Sequence, residues 1–174
     1  MITQERLKEL LHYCPETGVF TWLDYIGRVN NQTKPGDTAG SLDKLSGYIR
    51  ITVLGKAYRA HRLAFLYMTG SFPKDNTDHV NQVKHDNRWE NIRDVTQAEN
   101  TKNISMHKDN KSGFTGVYWC KRSIKWVSCV RVEGKLKNLG YFISLDKAIE
   151  ARKKANIKYG FHPNHGQSSS TTMR

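Results

Sequence analysis

The spacing of apolar and polar positions changes several times along this chain, and each change marks an element. Over Thr3–Leu11, Leu7, Leu10 and Leu11 fall on one face behind Thr3, a good capping residue, which predicts a short helix. Pro15-Glu16-Thr17-Gly18 has turn composition, and Val19-Phe20-Thr21-Trp22 alternates as a strand does. Residues 27–46 are rich in Gly, Asn, Asp, Lys and Ser, and read as a long mobile loop. Gly47–Leu54 and Ala57–Ala60 predict a hairpin turning at Gly55-Lys56. His61–Met68 is apolar at helical spacing, with Gly70 placed to end it. At the head of that helix, His61 reads as a core histidine.

From Asp78 to Asn100 the pattern is an Asp-His pair, a polar loop, a short apolar run around Ile92 and Val95, and then a capping box of Thr96 with Glu99. That order predicts strand, loop, strand and helix, and such a hairpin with its helix aims Asp78, His79 and Asn100 at one point. Ser105–Ser112 has no period and reads as a linker. Beyond it, Gly116–Arg122, Lys125–Val132 and Lys135–Phe142 predict three strands, and Ser144 caps a closing helix. Leu145, Ala148, Ala151 and Ala155 give that helix a face suited to packing on the sheet. Lys121, Arg122, Lys125, Trp126, Arg131, Lys135 and Lys137 are expected on the other face of the sheet, ready for phosphate. Pro163–Arg174 reads as a flexible tail.

Charge narrows the partners. Lys and Arg total 28 against 16 Asp and Glu, a net +12 in 174 residues, which favours a polyanion, and nucleic acid before a membrane. Lacking a run of about 18 apolar residues, the chain is expected to be soluble and intracellular, in the cytoplasm. The cysteines, Cys14, Cys120 and Cys129, are odd in number and form no Cys-x-x-Cys pair, so neither a disulfide framework nor a zinc site is expected.

Phosphodiester hydrolysis needs an activated water, a Lewis acid at the leaving oxygen and fixed geometry. With an ordinary pKa near 6.5, His79 can serve as the base. Asp78 lies on the opposite face of the same strand and is a hard oxygen ligand. With the amide oxygen of Asn100 and waters, it would suit one Mg2+ or Mn2+. Arg50 and Arg59 on the earlier hairpin are candidate phosphate contacts.

Residues 78–100 resemble the HNH, or ββα-metal, nuclease motif through Asp78-His79, Asp86-Asn87-Arg88-Trp89, Glu90-Asn91-Ile92-Arg93 and Thr96–Asn100. The resemblance implies His79 as general base, Asp78 and Asn100 as ligands of a single divalent metal, and Asn91 as a brace that orients His79. The third position, often histidine in the family, is Asn100 here, as in the phage homing-endonuclease branch. Gln82-Val83 stands where relatives often carry glycine. Residues 113–162 resemble the AP2/ERF-like DNA-binding domain of phage HNH nucleases, through Ser112–Tyr118, Lys125-Trp126, Leu139–Phe142 and Ala148–Arg152. The segment from Thr3 to Pro73, with His61-Arg62-Leu63, also resembles the N-terminal part of these phage proteins.

The expectation is thus an α+β protein: an N-terminal region over 1–72, an HNH core over 73–105, a linker over 106–112, an AP2-like domain over 113–162 and a tail over 163–174. It is expected to be a site-specific homing endonuclease acting on double-stranded DNA, and to nick one strand as a monomer. The alternative is a non-catalytic AP2-like regulator with a vestigial HNH region; RNA binding would rest on charge alone.

Overall fold

The computed structural model describes residues 1–24 and 33–167, in two compact units, Met1–Thr96 and Gln97–Arg174. In the first, α1 (Gln4–Leu10) starts where Thr3 Oγ1 accepts from Arg6 N at 3.3 Å. The helix stops one residue short of the expectation: Leu11 turns extended and opens β1 (Leu11–Cys14), which the alternation did not reveal. β1 pairs antiparallel with β2 (Val19–Trp22). Part of the loop expected over 27–46 lies outside the described residues. The remainder includes a two-residue strand, β3 (Ser41–Leu42), which pairs with β4 (Ile49–Val53).

β4 returns as β5 (Lys56–Arg59), and the turn is Leu54-Gly55, at φ 50° and 75°, one residue earlier than expected. Two consecutive left-handed residues match the twist of the flanking strands, which is why the turn settles there. α2 (Ala60–Thr69) follows and ends at Gly70 in the left-handed conformation. The core of this unit is Leu7, Leu11, Tyr13, Phe20, Ile51, Val53, Leu63 and Ala64, all essentially out of water. Each buried Leu, Ile or Phe contributes roughly 1.5–3 kcal/mol relative to exposure. On this base stands a hairpin of β6 (Asn76–His79) and β7 (Ile92–Val95), with Asp78 opposite Arg93 and His79 opposite Ile92.

The second unit begins with the four-residue helix α3 (Gln97–Asn100). Its sheet runs in the order β10 (Lys135–Phe142), β9 (Lys125–Val132), β8 (Val117–Cys120), all antiparallel, and is covered by α4 (Leu145–Lys158). Ser144 occupies the N-cap position, but its side chain makes no capping bond. Ala148 and Ala155 are buried as expected, and so is Arg152 between them. Arg152 donates through Nη1 to Cys129 O and through Nε to Asn156 Oδ1 at 2.8 Å, and its Nη2 lies 3.3 Å from His165 Nε2. Gly116 leaves the room this needs, since a side chain there would run into the Arg152 guanidinium.

Directly opposed residues of antiparallel strands point to the same face. One face therefore carries Val117, Ser128, Val130, Trp119, Trp126 and Lys137; it is the helix side, where Val117, Ser128 and Val130 are buried. The opposite, open face carries the row Tyr118, Val127, Tyr141, flanked by Lys125 and Arg131; the two tyrosines are exposed and the valine between them is buried. Trp126, Lys135 and Lys137 were expected on the open face and instead follow the helix-side register, with Lys137 Nζ 5.1 Å from the Tyr159 ring. Strands alternate, so the adjacent Lys125 and Trp126 of β9 cannot share one face, and Lys121 and Arg122 fall in the turn between β8 and β9 rather than on a strand.

Two stretches expected to be loose are hydrogen-bonded. Within the linker, Asn110 Oδ1 accepts from Ser112 N, Ser112 Oγ and Gly113 N. From the expected tail, Gly166 N donates to Ile104 O and Gln167 O accepts from Met106 N. Polar side chains and backbone make these contacts, which apolar periodicity does not report.

Candidate active site

The loop between β6 and β7 is closed by one amide. Asn91 Oδ1 accepts from Asn81 N at 3.0 Å, Asn91 Nδ2 donates to Asp86 O at 2.7 Å, and Asn91 O accepts from Val80 N at 2.9 Å. Gln82, in the pair that stands where the resemblance would place a glycine, takes φ 63° itself. Arg88 grips Asp86 through Nε at 2.9 Å and Nη2 at 2.8 Å and holds its carboxyl down to about 2. From beneath, Tyr13 Oη donates to Asn87 O at 2.7 Å and Trp89 N to Pro15 O at 2.9 Å. The turn at Gly18, φ 73°, lies so close to the backbone of Asn87 and Arg88 that any side chain there would collide with it.

His79 ends β6 and is 4% exposed. Asn87 Nδ2 donates to His85 O at 3.2 Å, so its oxygen is the end turned toward His79 Nε2, 3.4 Å away. An acceptor at that nitrogen calls for the Nε2–H tautomer and leaves the lone pair on Nδ1. Burial lowers the His79 pKa, opposed by the Asn87 bond. The ring packs edge-on against His61 at 5.1 Å and lies 5.9 Å from Tyr48. His61 is buried, as a core histidine should be, and burial followed by the nearby His79 pushes its pKa down to about 3. Both imidazoles are neutral at pH 7.

Asp78 is 8% exposed and meets Arg93 across the ladder; Nε at 3.1 Å and Nη2 at 2.7 Å both donate to Oδ2. No group of three or more His, Cys, Asp or Glu able to hold a metal occurs among the described residues. Asp78 is a hard oxygen donor, of the kind Mg2+ or Mn2+ accepts. Asn100, the amide expected beside it, ends α3 in the second unit.

The HNH endonuclease family model matches residues 58–102, from the end of β5 through α3. Protein 3.8 of Escherichia phage T7 is 32% identical to this chain over 84 residues, covering 48% of this chain and 69% of that protein. This chain belongs to the family of that phage protein and carries an HNH endonuclease domain. The domain implies nuclease activity with DNA as substrate, and HNH nucleases in general use a divalent metal. No solved structure matches the chain.

Around the HNH domain's His79, the hairpin of β4 and β5 contributes more than was expected of it. Arg59 lies with Cζ 4.5 Å from the centre of the Tyr48 ring, and Arg50 is its cross-strand partner. Tyr48 and Lys84 were not singled out from sequence, and Asn87 and Arg93, though part of the quoted motif, were given no role. Arg93 was within reach, because a hairpin joining Asp78 to the Ile92 run places an opposite charge across from the carboxylate. Tyr48 is 31 residues from His79 in the chain, and no local pattern links the two. The remaining predicted contacts, Lys121, Arg122, Lys125, Trp126, Arg131, Lys135 and Lys137, belong to the second unit.

Proposed function

We propose that this chain is a site-specific DNA endonuclease of the homing type, which hydrolyses one phosphodiester per encounter with a single divalent ion. His79 takes the proton of the attacking water at Nδ1. Asp78 and Asn100 hold the ion, Mg2+ or Mn2+, which when bound supplies Lewis acidity at the leaving oxygen. Asn91 keeps the loop closed, so that Asn87 stays against His79 and fixes its tautomer. A single centre cuts one strand, so a monomer nicks double-stranded DNA.

The second unit serves as an AP2-like clamp. Fifteen Lys and Arg against five Asp and Glu put +10 of the chain's +12 in residues 97–174, the distribution expected of a binding module beside a catalytic one. The observation that carries the reading is the adjacency of a buried, neutral His79 and a buried Asp78 at the end of β6, under a loop tied by Asn91.

Supercoiled plasmid incubated with the protein and Mg2+ or Mn2+ tests it, and nicked circles are the expected product. His79→Ala should lower the rate by roughly 10²–10⁴ while leaving DNA affinity within about twofold. Intact plasmid under every divalent ion would favour a DNA-binding regulator.

A further inference from the structure

We propose that Tyr48, Arg59 and Lys84 form a phosphate subsite beside His79, which takes a backbone phosphate of the DNA next to the bond that is cut. The placement relative to the cut bond rests on the nuclease reading above; the binding itself does not.

Tyr48 is the centre of the arrangement. Its ring lies 5.0 Å from His61 and 5.9 Å from His79, with Arg59 Cζ at 4.5 Å and Lys84 Nζ at 5.1 Å from its centroid. The ring is fixed by a turn in which Asp43 N donates to Tyr48 O at 2.8 Å and Gly47 N to Asp43 O at 2.7 Å. Asp43 further accepts from Leu45 N at 3.1 Å and Ser46 Oγ at 2.7 Å. Lys84 comes from the loop between β6 and β7, donates to Ser46 O at 3.1 Å, and runs its stem past Gly47. Arg59 comes from the end of β5. Three separate segments thus bring two cations to one ring that also touches the proposed base.

Two like charges held at one ring repel, and a ring face attracts each only modestly at an exposed site. Among the described residues neither Arg59 nor Lys84 has a carboxylate partner, and the Arg59 guanidinium makes no hydrogen bond to them. A guanidinium with five donors to offer and an ammonium with two more are matched by the oxygens of a phosphodiester. Lys8 is the contrasting case: it also lies over a tyrosine, 5.2 Å from Tyr67, but as a lone cation.

The test measures affinity for a fluorescent duplex against salt concentration in EDTA, where no cutting occurs, for the full chain and for Arg59→Gln, Lys84→Gln, the double variant and Lys8→Gln. Each subsite variant should reduce the slope of log K against log salt by about 0.9, and the double variant by about twice that. Lys8→Gln should leave the slope unchanged. A double variant with the full slope, or a Lys8→Gln variant that loses as much, overturns the subsite. Thermal melts of the same exposed-site variants check that they are folded. If the unaltered protein fails to nick plasmid, the nuclease reading falls, and the slopes still decide whether phosphate binds here.

Discussion

Arg93 and Asp78 sit opposite one another on the β6–β7 ladder and share an ion pair of 2.7 Å, with the carboxylate nearly buried and the guanidinium partly open to water. Arg93 therefore helps hold Asp78 in place. Arg93→Ala should cost about 1–3 kcal/mol of stability, the usual effect of removing a charged hydrogen-bond donor from a nearly buried carboxylate. If Asp78 is a metal ligand, saturating Mg2+ or Mn2+ should raise the melting temperature more in the variant than in the unaltered protein. Melts with and without the ion check this, and equal shifts would argue against Asp78 as a ligand.

Asn91 donates through one end of its amide and accepts through the other. In Asn91→Asp the acceptor to Asn81 N survives, but an oxygen faces Asp86 O. The variant should lose about 1–3 kcal/mol and cut more slowly with unchanged DNA affinity. Faster hydrogen exchange at the Asn81 amide, followed by NMR, would locate the damage in the loop.

Lys125 and Arg131 share the open face of the second sheet with Tyr118 and Tyr141, whereas Trp126 packs against Trp119 at 5.2 Å in the register of the helix side. Lys125→Gln and Arg131→Gln should each lower the salt slope of DNA binding by about 0.9 with unchanged melting. Trp126→Ala should instead lose about 1–3 kcal/mol of stability, since the ring is half-buried against Trp119. Anisotropy titrations and urea melts separate the two effects.

Burial holds the His61 pKa at about 3, and that of His165 at about 4. Each binds its proton more readily in the unfolded chain, near pH 6.5, so stability falls as pH drops from about 6.5 and levels off only below the folded values. His61→Phe should flatten this dependence for the first unit. Urea midpoints at pH 7 and pH 4.5 measure it, and a difference equal to that of the unaltered protein would mean that another group is responsible.

Much of this was legible in the chain before any coordinates. The spacing of Leu7 and Leu10, the His61–Met68 run with its terminal glycine, and the strand, loop, strand and helix from Asp78 to Asn100 appear as elements where periodicity and capping put them. What escaped was tertiary in origin. β1 is short, Leu11 serves both helix end and strand start, and the facing of Trp126 and Lys137 depends on a pairing register that no single strand encodes. The buried Arg152 was hidden because charged residues are read as surface, yet its donors find a carbonyl and an amide within the fold. At the site, Asp78 and His79 were visible as a local pair, whereas Tyr48 and Arg59 reach them only through α2 and the hairpin that precede them.

The close fit of Gly18 against Asn87 and Arg88 changes what counts as the nuclease. The family match begins at residue 58, but the backbone that shapes the His79 loop is clamped by Tyr13, Pro15 and Gly18. The matched segment is therefore not a portable cassette. Moved into another protein without the first hairpin, it would lose the anvil on which its loop is formed, and a lineage that exchanges such modules would have to carry the N-terminal region with them.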